Sequence, residues 1–128
     1  MAITLNQLGQ LSLSVRDLDR AEMFYSEKLG LRKLFRFGNL LFFDLAGVRL
    51  LVEKPENSET LAGNSTLYFR VADIALVCKE LKARGVVFSD EPHLIAPMED
   101  HDLWMAFFTD PEGNILALMQ EAPKGYVP

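Results

Sequence analysis

Two stretches decide the fold: Gln10–Leu31, QLSLSVRDLDRAEMFYSEKLGL, and Thr66–Val86, TLYFRVADIALVCKELKARGV. Each opens with residues of alternating polarity, reaches a valine, passes through X-Asp and continues as an amphipathic helix ending at glycine. Val15 and Val71 are 56 positions apart, as are Asp17 and Asp73. Gly30 and Gly85 are 55 apart, so the second copy lacks one residue in its helix or flanks. Agreement of pattern and order at a nearly fixed offset marks an internal duplication.

The stretches that follow agree more loosely. NLLFFDLAGVRLLVE, Asn39–Glu53, predicts two strands about a turn at Gly47, and LWMAFFTDPEGNILALM, Leu103–Met119, predicts the same about Gly113. The offset grows to 66 because Ser89–Asp102 reads as a longer loop. The first half thus predicts strands near Leu8–Val15, Leu31–Phe37, Asn39–Asp44 and Val48–Glu53, with a helix near Leu18–Leu29. The second predicts strands near Thr66–Val71, Val86–Ser89, Leu103–Thr109 and Asn114–Gln120, with a helix near Ile74–Ala83. Asp17 or Asp19, and Asp73, suit the helix starts, where a carboxylate accepts free amide hydrogens. Gly30 and Gly85 suit the left-handed residue that ends a helix.

The modules span about residues 7–54 and 64–121, within a single domain 1–122, followed by a tail 123–128 expected to be extended or mobile. A polar linker, Lys54–Ser65, joins them. Neither half has the apolar area to stand alone, so both are expected to share one structure.

Of the 128 residues, 49% are hydrophobic and 24% charged, the balance of a soluble globular domain. The net charge of −5 and the scattered basic residues argue against nucleic acid and anionic membranes, which need clustered Lys and Arg. A single cysteine excludes an internal disulfide. Cys78 recurs at helical spacing with Ile74, Val77 and Leu81, as a small buried apolar residue would. No run is long and apolar enough to cross a bilayer, and no secretion signal is visible, so a cytoplasmic location is expected.

Alternate residues of a strand point to opposite faces. Leu11, Leu13 and Val15 share one face of the first strand, opposite Gln10, Ser12 and Ser14. Leu67, Phe69 and Val71 repeat this, opposite Thr66, Tyr68 and Arg70. The apolar faces belong under the helices. The polar ones suit a partly wet, concave cavity whose groups orient a small ligand.

The residues VRDLDRAEMFYSEKLGL, VADIALVCKELKARGV and FFTDPEGNILALM resemble the vicinal oxygen chelate superfamily, which includes glyoxalase I, bleomycin-resistance proteins and extradiol dioxygenases. With the duplication they cover nearly the whole chain, from about Leu8 to Gln120. The resemblance implies an α+β fold: two βαβββ modules forming an eight-stranded, partly open barrel, with a ligand cavity and commonly a homodimer. It does not supply a function, because this fold serves several chemistries as well as plain binding.

In its enzymatic members the family holds a divalent metal, with one ligand early in each module's first strand and one on each last strand. The matching positions here are Gln10, Thr66, Leu51 and Ala117, with Glu53 two residues beyond Leu51 on the same face. A divalent ion needs several imidazole, carboxylate or thiolate donors held together. Leu51 and Ala117 have none, and Gln10 and Thr66 are neutral and weak. No metal or other cofactor is therefore expected.

The remaining candidates sit around this cavity. Arg49 and Arg70 fall on its faces and would favour a carboxylate, phosphate or enolate, or are surface or interface arginines. Tyr68 offers a hydrogen bond or a stacking face. His101 precedes a cavity strand and could act as general acid or base, while His93 and the carboxylates near it read as a solvated acidic loop. Trp104 is either a stacking platform or a core aromatic, and one of Phe107 and Phe108 reaches the cavity. The preferred expectation is a metal-free binder of a small organic ligand, aromatic or anionic, using Gln10, Ser12, Arg49, Glu53, Thr66, Tyr68, Arg70, His101, Trp104 and the space at Ala117. The alternative is a glyoxalase-type lyase or isomerase, or a dioxygenase-like enzyme, acting on a small oxygenated substrate through Glu53, Tyr68 or His101.

Overall fold

The computed structural model describes residues 3–56 and 65–128, so the middle of the linker, 57–64, lies outside the described residues. The chain divides into two units, residues 1–62 and 63–128, each with its own sheet and helix. The first contains β1 (Gln10–Ser14), α1 (Leu18–Glu22) continued by a π-helical segment (Met23–Lys28), β2 (Arg32–Phe37), β3 (Leu40–Leu45) and β4 (Val48–Glu53). The second contains β5 (Leu67–Arg70), α2 (Ile74–Ala83), β6 (Val87–Phe88), β7 (His93–Pro97), β8 (Asp102–Thr109) and β9 (Ile115–Ala122).

The strand orders are β1-β4-β3-β2 and β5-β9-β8-β6, with β7 also paired to β8. In both units the first strand runs parallel to the last, and the remaining pairs are antiparallel. The duplication read from the sequence is thus a duplication of topology. Its strands are held in two sheets rather than one continuous eight-stranded sheet. The additional strand is β7, within the stretch expected to be a loop. A bulge between Leu94 and Ala96 breaks its alternation, and it pairs along the half of β8 that the two-residue β6 leaves free.

Both helices start where the sequence places them. The Asp17 carboxylate accepts from the Arg20 amide at 3.0 Å, and that of Asp73 from the Leu76 amide at 3.1 Å. Both end at glycines in the left-handed region, Gly30 at φ 74° and Gly85 at φ 87°. The unequal offset now has a location. Leu31 N–H donates to Tyr25 C=O at 2.9 Å, and Val86 N–H donates to Leu81 C=O at 3.0 Å. Tyr25 and Leu81 are 56 apart but Leu31 and Val86 only 55, so the extra residue lies between Tyr25 and Leu31. There the helix widens to i→i+5 bonding, with Leu29 N–H donating to Phe24 C=O, as an inserted residue requires.

In the first unit the helix covers Leu41, Phe43, Leu50 and Val52, all fully buried, with Leu18, Ala21, Phe24 and Tyr25. The Tyr25 ring stands 5.2 Å from Phe24, edge to face, and 6.0 Å from Phe43. In the second, α2 lays Ile74, Cys78 and Leu81 on Ala106, Phe108, Leu116 and Leu118. Each Leu, Ile, Val or Phe among them contributes about 1.5–3 kcal/mol through burial. Burial also pushes the Cys78 thiol up, which leaves it protonated and inert. One polar residue lies in this layer: Gln120 is buried, and its Oε1 accepts from the Ile74 amide at 2.8 Å, tying the first turn of α2 to β9.

The edge strand β2 carries charge on its helix side. Arg36 pairs with Asp19 at 2.7 Å and Glu22 at 2.9 Å, and Lys33 pairs with Glu22 at 2.6 Å. The hydrogen bonds from Lys33 and then Arg36 hold the Glu22 carboxyl below its usual value.

A two-residue turn joins β3 to β4. Its two central residues, Ala46 at φ 51° and Gly47 at φ 97°, both lie in the left-handed region, the signature of a type I′ hairpin. Alanine is disfavoured there, whereas Asn tolerates it. Ala46→Asn is expected to stabilise the protein by roughly 0.5–1 kcal/mol in urea denaturation. Ala46→Gly should gain less, because glycine also frees the unfolded chain. A loss of stability in the Asn variant would show that the turn is not strained.

Candidate functional site

The side of each sheet turned away from its helix carries the candidate residues. In the first unit Gln10 pairs with Arg49, which pairs with Asp44. Ser12 pairs with Leu51, then Phe42, then Phe35. Ser14 pairs with Glu53, then Leu40, then Phe37. Gln10, Ser12, Arg49 and Glu53 therefore share one face, as expected. The face also holds an aromatic pair the sequence reading did not single out: Phe35 and Phe42 stack with centroids 4.6 Å apart, and the Arg49 guanidinium lies 5.6 Å from the Phe42 ring.

In the second unit Tyr68, Ala117 and Phe107 form one row across three strands. The Tyr68 and Phe107 rings meet edge to face at 6.3 Å, and Ala117 between them is completely buried. The next row is Arg70, Met119, Met105 and His93. Beyond it Glu121 pairs with Leu103. His93 also reaches Phe107, with centroids 6.3 Å apart, and its Nδ1 is 3.2 Å from Asp90. Thr66 stands one residue before β5 and is half-buried.

A chain of charges closes the far end of this face. Arg70 Nη2 meets Glu121 Oε1 at 3.2 Å, and the other Glu121 oxygen is 3.9 Å from His101 Nε2. His101 Nδ1 lies 2.7 Å from Asp100, and this hydrogen bond is the main cause holding the Asp100 carboxyl low. Met105, Phe107 and Met119 lie in uninterrupted apolar runs, so only the strand pairing assigns them to this face. Glu121 fell outside the expected strand end at Gln120, and β9 in fact runs to Ala122.

Trp104 is not part of this face. It pairs with Gln120 and Leu94, on the side of Ala106 and Phe108. Its ring meets Tyr126 edge to face at 6.0 Å, and its buried Nε1 has no hydrogen-bond partner. The segment after β9 is tied down: Asp102 accepts from Lys124 Nζ and from the Gly125 amide, both at 3.1 Å.

The residues present do not fit a divalent cation. Ala117 and Leu51 offer no donor, Glu53 stands beside Ser14, and Gln10 stands beside the Arg49 cation. Among the described residues no three His, Cys, Asp or Glu side chains converge on a point. A single carboxylate does not offset the dehydration of such an ion.

The model of the Glyoxalase/Bleomycin resistance protein/Dioxygenase superfamily matches residues 7–118. The chain belongs to that superfamily. Among superfamily relatives, the uncharacterized protein YurT of Bacillus subtilis (strain 168) is 31% identical over 126 residues, covering 86% of this chain and 95% of YurT. A lactoylglutathione lyase from Agrobacterium tumefaciens superposes with TM-score 0.76 at 21% identity, over 91% of this chain and 95% of its own. A glyoxalase/bleomycin resistance protein/dioxygenase from Alicyclobacillus acidocaldarius gives 0.72 at 23%, over 91% and 92%. At such identities the structural likeness shows the superfamily fold and no particular activity. Among the described residues no helix is long and apolar enough to cross a membrane.

Proposed function

We propose that this superfamily member binds a small organic ligand, aromatic or anionic, on the open sheet faces without the divalent metal of its enzymatic relatives. The observation that carries this is Ala117: where the fold's last strand would present a carboxylate, a buried methyl lies between Tyr68 and Phe107. The row is built to meet an apolar ring rather than an ion. The buried free thiol of Cys78 suits a reducing compartment such as the cytoplasm, and the exposed Phe35 and Phe37 on β2 suit a second copy of the chain, as a homodimer.

Thermal denaturation with candidate ligands and with ions tests this reading. Small aromatic acids and alcohols are expected to raise Tm in proportion to occupancy, and nickel, zinc, manganese and iron(II) to leave it unchanged. A saturable rise in Tm with one of those ions would overturn the metal-free reading. A second reading, acid–base catalysis, draws on His101, whose imidazole is oriented by Asp100 on one nitrogen with Glu121 near the other. Turnover of a bound compound that is lost in His101→Gln would favour it over passive binding.

A further inference from the structure

We propose that Arg70 sets the specificity of the second unit's open face, selecting an amphiphilic anion with an aromatic head and an aliphatic arm that ends in a carboxylate. The inference rests on the binding role proposed above and adds the class of ligand. The face is graded along its strands. Tyr68 and Phe107 form an aromatic end, and Met119 and Met105 follow in the next row. Arg70 and Glu121 close the polar end, with the guanidinium drawn toward Glu121, away from the rings. Rows on one face of a strand are about 7 Å apart, so a ring on the first row needs an arm of several methylenes to bring an anion to Arg70. The thioethers between are flexible and apolar and suit such an arm.

Glu121 is the competitor that makes the site selective. Its two oxygens face Arg70 and His101, so it holds the arginine in place while no ligand is present. Arg70 and Glu121 are both substantially exposed, at 72% and 40%, so their mutual attraction is weak enough for an incoming carboxylate to displace. A neutral head of the same shape gains the aromatic contacts but nothing from Arg70. An anion gains a fork-shaped, charge-assisted partner.

The test is calorimetric titration with a series of ω-phenylalkanoates of increasing length and the matching ω-phenylalkanols. Affinity for the acids is expected to rise with chain length to an optimum, while the alcohols show no such optimum. Arg70→Gln should weaken the acids by about tenfold and leave the alcohols within about twofold. Glu121→Gln should strengthen the acids by about two- to fivefold, since it removes the competing carboxylate. Both positions are exposed, and circular dichroism checks that the variants fold. If acids and alcohols bind alike and neither substitution separates them, the role of Arg70 is overturned while the binding function stands. If neither class binds, the binding function itself fails, and this inference with it.

Discussion

Ala117→Glu is expected to destabilise the protein by roughly 3–5 kcal/mol, the cost of an uncompensated buried charge. The position is fully buried and flanked in its row by Tyr68 and Phe107, neither of which offers a cation to offset the charge. Ala117→Leu separates size from charge, since overpacking alone costs about 1–3 kcal/mol. The sign of the pH effect follows. Burial raises the introduced carboxyl's folded-state pKa above its unfolded value, so the folded state binds the extra proton. The defect should therefore be smallest below the unfolded pKa and grow as pH rises through the folded one. Urea denaturation of both variants at several pH values measures this. Zinc, nickel or manganese should rescue nothing. A variant as stable as the parent, or one stabilised by an ion, would show that the Tyr68–Ala117–Phe107 row can open to hold a charge.

Asp110→Ala is expected to remove about 2–4 kcal/mol. The β8–β9 turn hangs on this buried side chain. One carboxylate oxygen accepts from the Glu112 amide at 2.9 Å and the Asn114 amide at 2.8 Å, and the other accepts from the Asn114 side-chain amide at 2.8 Å. The backbone supports the same geometry, with Gly113 N–H donating to Asp110 C=O at 3.1 Å and Pro111 pre-set at the second position of the turn. Hydrogen bonds to an ionised acceptor are the stronger kind, and their loss leaves several donors unmet. Asp110→Asn keeps the shape and loses the charge, so it should fall between parent and alanine variant. Equilibrium denaturation decides. A loss below 1 kcal/mol would mean that the backbone bonds and Gly113 hold the hairpin without the carboxylate.

The elements legible in the sequence were those with chemical punctuation at both ends. Asp17 and Asp73 open the helices, Gly30 and Gly85 close them, and the alternation of Leu11, Leu13 and Val15 against Gln10, Ser12 and Ser14 assigns two faces to one strand. Strand β7 lacked all of these. His93–Pro97 is nearly uniform in polarity, is bulged at its centre and ends in proline, so no period survives in it. The candidate site divides the same way. Tyr68 and Arg70 alternate with the less exposed Leu67 and Phe69 and share one face of β5. Leu103, Trp104 and Met105 are apolar in succession, so period alone could not say which side Trp104 takes, and the pairing with Gln120 turns it toward the helix. The Arg70–Glu121 contact joins residues 51 apart in sequence, a relation that no local pattern contains.

The widened turn at Met23–Lys28 limits how the two halves can be recombined. One residue advances an α-helix by about 100°. A chimera that transplants the Ile74–Ala83 segment into the first half would rotate every side chain after the junction by that angle unless it also restores the missing position. The two copies have thus lost their interchangeability at a single codon, although the four strands they have in common still pair in the same order.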